Sequence, residues 1–324
     1  MAVTGTATLA VGVDVGGTKI AAGLVGADGS VIQRLRRDTP ATDAKAITEL
    51  VADVVGQLTP RQRGTVVPVG VGAAGLIDRD GVVRFAPNID WADYPLRDEL
   101  LARIDAPVIV DNDANVAAWG EYCVGAGAGV ADCVVMLTVG TGVGGGMVLD
   151  DRLVRGSHGL AAELGHLIVD EGGQFLCGCG NHGCLETVAS GTAVGRFALQ
   201  GLADGSAPRD TVLHDLEPTE VTGKSVTVAA HAGDAYAREV LDCVGTWLGV
   251  GIASITNAFD PALVVVGGGA MQAGELLLRP ARAAAQARLL GRGHRQLPPV
   301  VRAQLTDEAG LVGAALLAMK PEPA

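Results

Sequence analysis

The strongest constraint on this chain is a pattern written twice. Thr8 to Val15 reads as a β-strand, Gly16-Gly17 as a turn, Lys19 to Val25 as a second strand, Ala27-Asp28-Gly29 as a turn and Ser30 to Leu35 as a third strand. The same order returns as Cys133 to Val139, Gly140-Thr141-Gly142, Gly144 to Leu149, Asp150-Asp151 and a strand starting at Leu153-Val154. Asp14 in the first copy aligns with Thr138 in the second, 124 positions later. A strand-turn-strand unit repeated at domain spacing predicts a duplicated α/β domain, with a cleft between two lobes as the natural ligand site.

Periodicity fills in the rest. Ile47, Leu50, Val51, Val54, Val55 and Leu58 recur at helical spacing. Val66 to Val71, Pro107 to Val110, Leu263 to Val266 and Val300 to Leu305 read as strands. Helices are expected over Leu96 to Ile104, Glu186 to Leu199, Val226 to Asn257 and Gly274 to Leu290. A last helix starts at Thr306-Asp307-Glu308, with acids in its first turn as its dipole prefers, and runs to about Met319. With 324 residues, two medium domains are possible, and 48% hydrophobic but only 3% aromatic content makes the core aliphatic. The expected division is a small lobe over 1–115, completed by a C-terminal helix at 306–320, and a large lobe over 116–305.

The formal charge of −12, without a basic stripe, argues against nucleic acid as a partner. Met1 to Ala10 has neither a cationic start nor an apolar block, so no signal peptide is expected. The uncharged stretches Cys133 to Leu149 and Cys243 to Phe259 read as paired strands and a buried helix rather than membrane spans. Six cysteines without an export signal are expected as reduced thiols, which places the chain in the cytoplasm. Gly140 to Gly145 matches a dinucleotide fingerprint in letters, but a strand follows where a helix is required. Gly223-Lys224-Ser225 resembles the end of a P-loop, yet Pro218 stands where that motif needs glycine.

Three segments carry chemistry. Cys177, Cys179 and Cys184 lie within eight residues, a spacing that suits a metal better than packing. A tetrahedral zinc site needs a fourth ligand. His166, in Glu163-Leu164-Gly165-His166, is the first candidate, and His182 inside the cysteine loop the second. Glu163 and His166, three apart, share a face on a helical turn. Glycine turns follow strands at Asp14-Val15-Gly16-Gly17-Thr18-Lys19, Gly140-Thr141-Gly142 and Gly267-Gly268-Gly269. Such turns let backbone amides approach phosphate oxygens, and Asp14 at a strand end could hold hydrated Mg²⁺. Asp113 follows the strand Val108 to Val110; it reads as a general base or as a helix cap, and Asp111 competes with it as the base.

Taken together, Asp14-Val15-Gly16-Gly17-Thr18-Lys19, Asp111-Asn112-Asp113-Ala114-Asn115, Glu163-Leu164-Gly165-His166 and Cys177 to Glu186 resemble the ROK family of sugar kinases, in order and spacing from about Leu9 to Met319. The resemblance implies a duplicated actin-like, hexokinase-type (RNase H-like) α/β fold. It implies ATP with Mg²⁺ as phosphoryl donor, held by Asp14, Gly16, Gly17, Thr18, Lys19, Thr141 and Gly142, with Gly267, Gly268 and Gly269 near the adenosine. Asp113 would take the proton of the sugar 6-hydroxyl. Asn88, Asn112, Glu163, His166 and Glu186 would bind sugar hydroxyls. His166, Cys177, Cys179 and Cys184 would hold one structural Zn²⁺. Pro87-Asn88-Ile89-Asp90-Trp91 is most similar to members that phosphorylate glucose, and another hexose or an N-acetylhexosamine, such as N-acetylmannosamine, is the alternative substrate. Polyphosphate as donor is disfavoured by the cysteines. The family also includes sugar-responsive repressors, but these carry a helix-turn-helix ahead of the first strand, where this sequence has about eight residues. Relatives are often homodimers or homotetramers.

Overall fold

A computed structural model describes residues 8–40, 43–59, 66–86, 91–130 and 132–320. The first repeat forms β1 (Leu9–Val15), β2 (Lys19–Gly26) and β3 (Val31–Asp38), an antiparallel meander as expected. Helix α1 (Ala44–Leu58) leads to β4 (Val69–Ala73), and α2 (Leu96–Leu101) precedes β8 (Val108–Asn112). Both β4 and β8 run parallel to β1, giving the sheet order β3-β2-β1-β4-β8. Between β4 and α2 lies a small sheet of β5 (Leu76–Ile77), β6 (Val83–Phe85) and β7 (Ala92–Tyr94). Its strands are too short for alternation to be visible in the sequence.

The second repeat begins after α3 (Asp113–Val124). It contains β9 (Cys133–Val139), β10 (Val143–Leu149) and a two-residue β11 (Arg152–Leu153). With β12 (Leu263–Gly267) and β13 (Val300–Arg302) it builds a sheet of order β11-β10-β9-β12-β13, the same plan as the first. The equivalence reaches single residues. Asp14 pairs across with Gly72 of β4, and Thr138 with Gly267 of β12.

Three expected elements are revised. The helix expected over Glu186 to Leu199 is two: α4 (Leu185–Ala189) and α5 (Gly191–Asp204), broken where the Ser190 hydroxyl caps Ala193 N. The helix expected over Val226 to Asn257 is also two, α6 (Gly223–Ala232) and α7 (Ala235–Phe259). Gly233 at φ 106° ends the former and Asp234 caps the latter. In both cases apolar periodicity continues across the break and hides it. The final strand stops at Arg302, and Thr306–Glu308 is a 3₁₀ turn ahead of α9 (Ala309–Met319). Helix α8 (Glu275–Arg288) matches its expected span closely.

Two compact units result: 1–132, 146–162 and 304–324 in the first, 133–145 and 163–303 in the second. This division keeps α3 and the residues around β11 with the first unit, where the expected boundary fell at 115. In the first unit, Val11, Val13 and Val15 of β1 join one core with Ile47, Val51, Val54, Val55 and Leu58 of α1. The alternate residues face α9. A Cβ at Gly12 would fall 1.8 Å from Leu311 O, and one at Gly313 1.7 Å from Val116 O of α3. Helix α9 is therefore buried on every side between sheet and α3, which is why its sequence shows no polar face. In the second unit α7 is, among the described helices, long and apolar enough to cross a membrane by composition; 61% of that window is buried against its own unit.

Candidate active site

The β8–α3 corner is fixed by its own side chains. Asn112 is the helix cap: its Oδ1 accepts from Ala114 N at 2.8 Å and Asn115 N at 3.1 Å, and its Nδ2 donates to Gly75 O at 3.0 Å. Asp113 is therefore the first helical residue rather than the cap. The rival aspartate, Asp111, is buried. It accepts from Asn112 N at 2.8 Å and Asn115 Nδ2 at 2.9 Å through one oxygen, and from Arg155 Nε at 2.6 Å through the other. Asp113 accepts from Ala114 N at 2.9 Å, its own amide and the Asn112 side chain also lie against its carboxylate, and it forms no ion pair among the described residues. Burial pushes its carboxyl above the usual range. Of the two acids, Asp113 is the one without a guanidinium partner and with its basicity raised by burial.

Asp14 lies in the same unit. Burial, then the charge of Asp113, raises its pKa to about 7 against the opposing pull of Lys19. Its carboxylate packs at the start of α9, where a Cβ on Gly310 would come 2.8 Å from Oδ2. A half-buried carboxylate near a second acid is one whose charge a divalent cation would offset. The adjoining turn is closed by Gly16 N donating to Lys19 O at 3.0 Å and by Thr39 Oγ1 donating to Gly16 O at 2.7 Å. Thr18 and Lys19 are exposed. Asn88 lies outside the described residues. Trp91, from the same segment, is buried and stacks on Tyr94.

In the second unit, His166, Cys177, Cys179 and Cys184 place their ligand atoms within 4.8 Å of one another. Cys179 and Cys184 sulfurs are 3.6 Å apart, and Cys177 Sγ is 3.5 Å from His166 Nδ1. Sulfurs bound to one tetrahedral zinc at about 2.3 Å sit about 3.8 Å apart, so the group fits that ion. His182 is instead turned to Gly173 O, 3.2 Å from its Nδ1. Burial pushes the Cys177 thiol up and the Cys184 thiol up to about 12. For Cys179, burial is outweighed by the Asn181 N–H and the neighbouring sulfurs, and its thiol shifts down. A bound cation would deprotonate all three. Glu163 and His166 flank a 3₁₀ turn, whose three-residue repeat stacks them on one face. Glu186 joins the cluster to the glycine turn after β9. Its Oε2 accepts from Val143 N at 2.9 Å and lies where a Cβ on Gly142 would be, and its Oε1 is 3.5 Å from Cys177 Sγ.

A cavity of ≈ 570 Å³ opens in this unit beside Gly140, Thr141 and Gly269. The first turns of α5 and α6 both reach it, through Gly191 and Thr192 and through Gly223 and Lys224. Gly191 N donates to Gly140 O at 2.7 Å, and Thr192 Oγ1 to Thr141 O at 2.7 Å. Two helix N-termini with a lysine suit an anion, and Val194, Leu199, Val221 and Leu241 suit a flat apolar ring. Gly268, at φ 87°, passes so close to β9 that a Cβ would meet Val139 O at 2.4 Å. Gly223-Lys224-Ser225 is the first turn of α6 rather than a P-loop, but Gly223 and Lys224 do line the cavity. Sequence reading missed Arg155 and Arg196. Arg196 lines the same cavity, stacks 3.8 Å over Phe175 and donates to Thr187 O. Neither stands in a motif that would have marked it.

Comparison with known proteins shows what the chain is similar to. The chain is 42% identical over 320 residues to a glucokinase of Streptomyces coelicolor, covering 97% of this chain and 99% of that one. It is 38% identical to a glucokinase of Halalkalibacterium halodurans, over 96% and 95% of the two chains. A crystal structure of a ROK family glucokinase from Streptomyces griseus, in complex with glucose and AMPPNP, superposes with a TM-score of 0.84 at 43% identity, over 96% of this chain and 99% of that one. The ROK family pattern itself matches residues 10–321, and the chain belongs to the ROK family.

Proposed function

We propose that this protein transfers the γ-phosphoryl group of ATP to the 6-hydroxyl of glucose. Family membership and near full-length likeness to glucokinases support the reaction. The observation that carries the mechanism is the contrast in the β8–α3 corner: Asp111 is paired with a guanidinium while Asp113 is not.

Phosphoryl transfer needs positioning and charge neutralisation more than covalent chemistry. Asp113 accepts the proton of the sugar hydroxyl, a role worth roughly 10²–10⁴-fold, and burial strengthens it as a base. Glu163, His166 and Glu186 offer acceptors and a ring nitrogen to sugar hydroxyls, and Asn88 and Asn112 complete the set. Asn112's Oδ1 and one N–H are committed to the backbone and its side chain also reaches Asp113, so its share is small. The 570 Å³ cavity takes the nucleotide, with Thr141 and Gly269 in its lining and Gly142, Gly267 and Gly268 as their chain neighbours. Mg²⁺, bound with ATP, would spread the phosphate charge, and Asp14 is the carboxylate suited to hold its hydration shell. One Zn²⁺ on His166, Cys177, Cys179 and Cys184 would stiffen the segment carrying His166 and Glu186, with no role in the transfer. A cytoplasmic homodimer or homotetramer fits the reduced thiols and the habit of the family.

An ATP-consumption screen across glucose, mannose, fructose, N-acetylglucosamine and N-acetylmannosamine tests the reading. Glucose should release ADP with the highest kcat/KM. A preference for an N-acetylhexosamine would move the substrate, and the absence of sugar-dependent ADP would remove the activity.

A further inference from the structure

The loop after β11 contributes a group that sequence reading left unassigned. Arg155 Nε reaches Asp111 Oδ2 at 2.6 Å, with the two side chains 18% and 6% exposed. The loop is itself anchored: Ala161 N donates to Arg155 O at 3.1 Å, and Arg79 donates to Gly156 O through Nε at 3.1 Å and Nη2 at 2.6 Å. Asp111 also holds Asn112 N, at the end of β8, and Asn115 Nδ2, in the first turns of α3. One carboxylate thus ties together a strand end, a helix start and a distant loop. Asp113 sits between the two residues Asp111 grips within its own segment, so its place follows from that grip.

A buried ion pair adds little net stability compared with apolar residues of the same shape. What it does provide is direction, since a guanidinium offers its donors in a fixed plane. We propose that the Arg155–Asp111 pair is a positioning device for phosphoryl transfer: it sets the exit angle of α3 from β8 and so the placement of the Asp113 carboxylate. Arg155 works through Asp111 and takes no proton. The inference rests on Asp113 as the base. A displacement of about 1 Å in a reacting group can cost about 10²-fold in rate.

The test measures kcat and glucose KM for Arg155→Met, Arg155→Lys, Asp111→Asn, the double variant Asp111→Asn with Arg155→Met, and Asp113→Asn. We expect kcat to fall about 10²-fold in Arg155→Met and less in Arg155→Lys, with glucose KM within threefold of the parent. Because the pair acts as a unit, the double variant should lose no more than the worse single one. The inference is overturned if kcat stays within threefold of the parent, if the loss appears in KM, or if the single losses add. If Arg155→Met does not fold, Arg155→Lys and Asp111→Asn decide on the same kcat and KM criteria. Asp113→Asn separates the two ideas. If it keeps turnover, the base assignment falls; if it is inactive while the Arg155 variants are not, only the positioning role falls.

Discussion

The β8–α3 corner and the cysteine loop are held in opposite ways. In the corner, a cap, an ion pair and a strand register hold Asn112, Asp111 and the end of β8 with protein atoms alone. Among the described residues, the cysteine loop has no regular element between Ile168 and Cys184, and turns and two isolated bridges, Ile168 to Cys184 and Leu176 to His182, surround three thiols of which two resist ionisation. One region is organised by side-chain contacts, and the other brings together four ligand atoms that suit a metal ion. On the proposed function, a carboxylate that meets a substrate proton would gain from a rigid strand–helix junction, whereas a sugar-binding segment could be stapled by a metal.

The sharpest break of this contrast is Asp113→Asn. Turnover should fall at least 10²-fold with glucose affinity nearly intact and no loss of thermal stability, because the corner does not depend on that charge; near-parental turnover would end its role. Next comes Cys179→Ser, or chelation of the parent. Metal analysis should show zinc lost, and glucose affinity measured by calorimetry should fall about 10–100-fold. A variant retaining one zinc per chain would contradict the ligand set.

A pH effect should separate the regions further. Asp14 has its folded pKa raised to about 7 from 3.8 by burial and by Asp113. Below pH 3.8 its contribution to stability is complete, and it is lost as pH rises toward 7, because the folded state then holds a proton that the unfolded chain has released. The slope is about 1.4 kcal/mol per unit in that window. Denaturant titrations of metal-free protein at several pH values should therefore show Asp14→Asn flattening the decline; an unchanged profile would assign the decline elsewhere. The smallest expected effect is Asn112→Ala, about 1 kcal/mol of stability from the lost cap. A change only in glucose affinity, with stability untouched, would make Asn112 a substrate ligand first.

The sequence displayed the repeated meander because glycine turns and alternating strands are local signals, and both sheets repeat that plan. It displayed the cysteine cluster because the three thiols are neighbours in the chain; His166 ranked ahead of His182 there too, and the geometry agrees, with His182 turned toward Gly173 O. The choice between Asp111 and Asp113 was hidden, since it depends on Arg155, 44 residues away in sequence. The breaks at Ser190 and Gly233 were masked by apolar periodicity that runs through them. The cavity depends on two helix starts whose meeting no local pattern announces.

Helix α9 has a consequence for biosynthesis. The first sheet is translated early, yet the helix that fills the hollow over Gly12 and lies against α3 is made roughly 270 residues after β3. At ~5–20 residues per second, the nascent first unit waits on the order of 10–60 s with an apolar trough uncovered. A ribosome-bound chain halted before Ala309 should therefore engage a chaperone that releases it once α9 emerges.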